Sequence, residues 1–243
     1  MYTNLYESDP DLPQGSGDAR RLSDRQAWGW VYKWQWIYLP LLYSTLGMKM
    51  RYDDVFEVYM KGKDGPVRVN WFDSPIWRVW VTKSVWAAWR IALPLAVLGV
   101  DPWRYWALFA LAEAVTGWYL ALNFQVSHIS VDAEFPLNKD PVEDPKMKQL
   151  SVEWAENQVR TSVNYVGGLV PDYLCGALNY QIEHHLFPGV SQYHYPAIAP
   201  IVRQHCERNG LPYNCRSGFL DALSAHLQYL HKMGQEGTPV GMH

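Results

Sequence analysis

Cysteine is scarce. Cys175, Cys206 and Cys215 are an odd number with no CxxC spacing, so neither a closed disulfide framework nor a zinc ribbon is readable. A reducing environment is the simpler assumption. Charge excess is missing too: 21 basic and 24 acidic side chains leave a net charge of -3, and no nucleic-acid footprint is visible. The N-terminus lacks the charged start and apolar core of a signal peptide, since Met1 is followed by the polar run YTNLYESDPDLPQGSGDARR. Internal repeats and low-complexity tracts are absent. Aromatic residues, by contrast, are plentiful, with 13 Trp, 16 Tyr and 7 Phe, and together with the low net charge they argue against disorder. A length of 243 residues suits one large domain or two small ones. The mean hydropathy of -0.23 would suit a soluble protein, but the average hides strong segregation.

Residues 105–126, YWALFALAEAVTGWYLALNFQV, carry Glu113 as their only charge. At roughly 1.5 Å per residue they reach about the thickness of a bilayer core. Residues 85–100 are also apolar but shorter and hold Arg90, so spanning needs the preceding VWVTK, tilt or snorkelling. Asp101-Pro102-Trp103-Arg104 forms a polar turn between the two runs, which predicts a transmembrane helical hairpin with aromatic belts at its ends. Lys49, Arg51, Lys61, Lys63, Arg68, Arg78 and Lys83 precede the hairpin, whereas only Arg104 sits in its turn, so both flanks are assigned to the cytoplasmic side. A third apolar run, 34–48, is short and interrupted by Pro40, and suits a re-entrant or interface-lying helix. The competing interpretation of all three is the buried core of a soluble helical protein.

Elsewhere the chain is polar. Residues 9–18 and 61–68 are expected to be loops and 134–146 a solvated linker with three prolines. The stretch VEWAENQVRTSVNY (152–165) has helical spacing, and 196–210 looks like an amphipathic helix with a glycine stop.

The chemistry gathers in Tyr-Gln-Ile-Glu-His-His-Leu-Phe-Pro, 180–188. On a helix, Gln181, His184 and His185 project from one face. Imidazoles from one helical turn can hold iron, copper or zinc. Taken alone, adjacent histidines are more often surface or satisfied core residues. His128 lies at the foot of the best spanning helix, on the side assigned as cytoplasmic; there it is either a further ligand or a helix C-terminal histidine favoured by the dipole.

The string QIEHHLFP, with Gln181 in first position, resembles the third histidine box of the front-end fatty acid desaturases. These are membrane di-iron oxidoreductases that insert a double bond between an existing one and the carboxyl end. Flanking strings are similar as well: Trp154 with Gln158 through Asn164, Cys175 through Tyr180, and Tyr195 through Pro200 followed by Cys206, Gly210 and Tyr213. Near the start, Tyr2-Thr3-Asn4 and Asp9-Pro10-Asp11 resemble the stretch after the family's second box. Glutamine in place of the usual first histidine separates the front-end group, sphingolipid long-chain-base desaturases included, from ordinary membrane desaturases.

One departure stands out. The family carries earlier HxxxH and HxxHH boxes, and this chain has no histidine before His128. Two iron ions need about eight donors; the matching positions supply His128, Gln181, His184 and His185. No HPGG string marks the heme-binding cytochrome b5 domain often fused to the family. The expectation is therefore the C-terminal part of a desaturase, inactive alone, with Met1 an internal methionine.

The resemblance implies an all-α, multi-pass membrane protein of di-iron desaturase type, incomplete here. Residues 1–233 would form the desaturase portion, with the hairpin at about 80–127 and the histidine-box region at 150–215, followed by a flexible tail at 234–243. It implies a cis double bond made in a polyunsaturated acyl chain, on CoA or on a lipid, using O2 and electrons from cytochrome b5 and its reductase. The setting would be the endoplasmic reticulum bilayer with the box on the cytoplasmic side. His128, His184 and His185 are then iron ligands, and Gln181 is a weak ligand or orients one. Glu183 either supports a ligand or is a surface carboxylate; Asn123 makes a water-mediated contact or an ordinary helix hydrogen bond. Trp and Tyr within 105–122 line an acyl tunnel or simply pack against lipid and core. The alternatives are a catalytically inactive desaturase-like membrane protein, a long-chain-base desaturase, and an unrelated soluble helical metal-binding module.

Overall fold

The computed structural model describes residue 4 and residues 19–23, 26–53, 55–56, 63–64, 67–68, 76–135 and 153–235. The expected loop at 9–18, most of the linker at 134–146, Tyr2 and the Asp9–Asp11 match, and the tail beyond 235 lie outside the described residues. Helices dominate. Among the described residues the strands are two-residue pairs: β1 (Lys63–Asp64) antiparallel to β2 (Val67–Arg68), and β3 (Asn164–Tyr165) parallel to β4 (Cys215–Arg216). The segment 61–68, expected as loop, thus holds a minimal hairpin. Two compact units share the chain, Met1–Pro40 with Leu122–His243, and Leu41–Ala121.

Leu41–Ala121 contains α2 (Leu46–Asp53), the β1–β2 hairpin, α3 (Ile76–Ala87) and most of α4 (Pro102–His128). Helix α3 runs into a π-helical stretch, Ala88–Val97, that contains Pro94. Proline lacks an N–H and crowds the preceding turn, so the wider π geometry accommodates it. The predicted turn follows: Asp101 Oδ1 accepts the Arg104 N–H at 3.0 Å, and Pro102 occupies the first helical position of α4. Glu113 does not stand alone. Its carboxylate binds Arg51 and lies 3.5 Å from Arg90, while the two guanidiniums sit over the Trp86 and Phe109 rings. Close packing also explains Gly117, where a Cβ would collide with the Ser44 carbonyl oxygen.

Among the described residues one helix, Pro102–His128, is long and apolar enough to cross a membrane. Only 22% of its apolar window is buried, unlike the core helix of a soluble protein, and Trp106, Leu108, Leu111, Val115 and Tyr119 face outward.

The other unit holds α1 (Gln35–Tyr43) up to Pro40, the last turns of α4, α5 (Trp154–Arg160), α6 (Leu169–Leu174), α7 (Gln181–Leu186), α8 (Tyr195–Arg208) and α9 (Phe219–Gly234). The 152–165 stretch, expected as one helix, is two elements. Helix α5 stops at Arg160, Thr161 donates its hydroxyl back to the Asn157 carbonyl at 2.7 Å, and Asn164–Tyr165 then extends to pair with Cys215–Arg216. Helix α8 matches its prediction, with Gly210 beyond its end at φ +67. Val159 of α5, Ile182 of α7 and Val202 and Cys206 of α8 form one core, so three helices that carry or flank the box pack on a single apolar centre. Burying such side chains stabilises by roughly 1.5–3 kcal/mol each. All three cysteines are free thiols.

Candidate metal centre

Helix α7 presents Gln181, His184 and His185, and α4 ends at His128. Gln181 Nε2 lies 2.7 Å from His185 Nε2 and 3.1 Å from His128 Nε2, so one carboxamide spans two imidazole nitrogens. The rings of His128 and His185 are 4.9 Å apart, and those of His184 and His185 5.6 Å. His184 faces Tyr195, whose hydroxyl is 3.5 Å from His184 Nδ1 and 3.4 Å from the Phe187 carbonyl oxygen. The four sequence-predicted ligands therefore gather in one place.

A polar frame holds them. The other nitrogen of His185, Nδ1, lies 2.7 Å from Gln158 Oε1 on α5. Glu183, fully buried, accepts Asn164 Nδ2 at 2.7 Å on one oxygen and the Tyr213 hydroxyl at 2.9 Å on the other. Asn164 Oδ1 also accepts the Ile182 N–H at 2.9 Å, which ties the first turn of α7 to β3. The alternative of a surface carboxylate at Glu183 is thereby corrected: a charge so deep needs these donors. His128 is fixed through its backbone. Asn4 Nδ2 donates to the carbonyls of His128, Thr161 and Glu134 at 3.0, 3.1 and 3.2 Å, and buried His226 donates Nδ1–H to the Ile129 carbonyl at 2.8 Å. Asn123 is buried on α4.

Electrostatics keeps the imidazoles neutral. Burial, with His128 and His184 alongside, pushes His185 down to about 2, and burial lowers His184 as well. Neutral imidazole is the form that ligates metal. Burial raises Glu183, while the hydrogen bonds from Asn164 and Tyr213 oppose that rise.

The donor set fits a metal in part. His128 Nδ1 and Gln181 Oε1 are buried without a hydrogen-bond partner, and the neutral imidazoles converge. Among the described residues no group of three His, Cys, Asp or Glu is assembled as an ion cage; the Gln181 amide stands between the two Nε2 atoms, and His184 Nδ1 faces the Tyr195 hydroxyl. Sequence reasoning assigned no role to Gln158, Asn164, Tyr213, His226 or Asn4, although four of them lie in strings that carried the resemblance. Position within those strings was the only available signal.

The family model for fatty acid desaturases matches residues 2–217. The chain is 36% identical to the Delta(5) fatty acid desaturase A of Dictyostelium discoideum, over 97% of this chain and 50% of that protein. It is 36% identical to an acyl-lipid (8-3)-desaturase of Physcomitrium patens, over 96% of this chain and 48% of that protein, and 32% identical to one from Mortierella alpina, over 96% and 51%. The chain spans about half the length of these curated relatives. No solved structure matches it. The match across residues 2–217, carrying the QIEHH helix and its polar frame, means that this chain belongs to the fatty acid desaturase family.

Proposed function

We propose that His128, Gln181, His184 and His185 are this chain's contribution to the di-iron site of a front-end desaturase that makes a cis double bond in a polyunsaturated acyl chain. The observation that carries the proposal is the convergence of His128 and His185 on Gln181 beside His184. The relatives' names, Delta(5) fatty acid desaturase and acyl-lipid (8-3)-desaturase, favour a fatty acyl substrate over a long-chain base. The di-iron centre supplies hydrogen abstraction from unactivated CH2 groups. In balance, –CH2–CH2– with O2, two electrons and two protons gives –CH=CH– and two waters, the electrons coming from cytochrome b5 and its reductase.

The chain's own residues bind and orient. The imidazoles stay neutral at pH 7, Glu183 with Asn164 and Tyr213 fixes the pitch of α7, and Asn4 holds the backbone at His128. The apolar face of α4 favours lipid. We assign the hairpin at about 80–127 to the endoplasmic reticulum bilayer, the box region 150–215 to its cytoplasmic side, 1–233 to the desaturase portion and 234–243 to a tail. A second reading, an inactive desaturase-like membrane protein, draws on the donor count: four side chains here against about eight for two irons.

The two separate in yeast that supplies cytochrome b5 and reductase, with fatty acids analysed by gas chromatography. The chain alone yields no new unsaturated acid. Joined to the N-terminal half of the Dictyostelium relative, it yields one, and His185→Ala abolishes it at matched protein level. Product formation that survives His128→Ala and His185→Ala contradicts the ligand assignment.

A further inference from the structure

We infer that Gln158 is a positioning residue that sets the tautomer of His185 and so decides which imidazole nitrogen is offered to metal. The inference rests on the proposed role of His185 as a ligand. Gln158 is almost fully buried on α5, and Val159 beside it is anchored in the core that also receives Ile182 of α7. The two helices therefore hold Gln158 and His185 in fixed register. Gln158 Oε1 lies 2.7 Å from His185 Nδ1. A carboxamide oxygen only accepts, so Nδ1 carries the proton and Nε2 keeps its lone pair. That lone pair points at the Gln181 amide nitrogen, 2.7 Å away, which donates to it and, at 3.1 Å, to His128 Nε2. The two amide protons of Gln181 thus mark two lone pairs that face a common point. An oxygen behind His185 puts its proton at the back and leaves the front nitrogen unprotonated, an acceptor for the Gln181 amide here and a lone pair available to a metal that displaces it. Were the Gln158 amide reversed, its NH2 would donate to Nδ1, the proton would move to Nε2, and the front nitrogen would be blocked. A partner behind a ligating histidine tunes metal affinity by 10- to 100-fold.

The test uses the whole chain, purified in detergent with 15N-histidine. Long-range 1H–15N spectra report the tautomer of His185, assigned by loss of its signals in His185→Gln. Wild type should show Nδ1–H. Gln158→Leu should lose that preference, and Gln158→Glu, which keeps an acceptor oxygen at the same reach, should retain it. In parallel, anaerobic Fe2+ dialysis should give binding 10- to 100-fold weaker for Gln158→Leu and close to wild type for Gln158→Glu. A merely structural role would weaken both variants alike and leave the tautomer unmoved. An Nε2–H tautomer in wild type, or Gln158→Leu indistinguishable from wild type in tautomer and affinity, overturns the role of Gln158. Absence of saturable Fe2+ binding by wild type overturns the ligand proposal instead, and the tautomer still decides the Gln158–His185 pairing.

Discussion

The side-chain nitrogen of Gln181 lies 2.7 Å from Nε2 of His185, both on the first turn and a half of α7. This is the i, i+4 pair read from the sequence, and its meeting point also receives His128 from α4. Gln181→Ala removes one of the four proposed ligands, its unpartnered Oε1 included, together with the amide that orders both rings. Fe2+ affinity should fall about 10-fold or more, read by anaerobic equilibrium dialysis, with little change in helix content.

Glu183 is held by two donors that reach it from 19 and 30 positions away. Asn164→Ala or Tyr213→Phe should each cost about 1.5–3 kcal/mol, the usual scale for a hydrogen bond to a buried charged group. Glu183→Gln keeps a single acceptor oxygen for the two donors, so one of the hydrogen bonds is lost whichever way the amide turns, and it should destabilise to a similar degree. Thermal melting in detergent measures all three. Unchanged melting would mean that the carboxylate is solvated.

His226 is completely buried and is lowered to about 4, chiefly by burial, so it folds neutral. Its stability contribution is intact above the unfolded value of 6.5 and erodes as pH falls from there towards about 4, because the unfolded chain takes the proton first. The slope is at most about 1.4 kcal/mol per pH unit. His226→Gln should flatten the fall in melting temperature between pH 7 and pH 5 by up to one proton's worth; an unchanged slope contradicts the buried neutral state.

Glu113 meets Arg51, 62 positions earlier, and Arg90, 23 earlier. In the apolar run 105–126 it reads as a lone charge opposing insertion, whereas the fold compensates it. Glu113→Ala leaves two guanidiniums facing no carboxylate, and partial exposure of both arginines limits the loss to about 2 kcal/mol. An Arg51→Ala, Glu113→Ala double-mutant cycle should show positive coupling, and carbonate-washed membranes should retain the wild-type chain.

Local periodicity explains what the sequence disclosed. Helix α4, the Asp101 turn, α8 with its Gly210 stop and the shared face of Gln181, His184 and His185 all depend on neighbours a few residues apart. Partners set by tertiary packing were not legible: Asn4 bonds the His128 carbonyl across 124 positions, and Gln158 meets His185 across 27. The stretch 152–165 has helical spacing throughout, but the helix stops at Arg160, Thr161 turns its hydroxyl back on the Asn157 carbonyl, and Asn164 goes on to pair with Cys215, a partner 51 positions away.

The most direct test of the metal assignment is anaerobic Fe2+ dialysis of the detergent-purified chain, with bound iron counted by mass spectrometry. Wild type is compared with a His128→Ala, His185→Ala double variant of equal helix content. Saturable binding by wild type and at least 100-fold weaker binding by the variant is the predicted result. Equal binding by the two, or none by wild type, contradicts it.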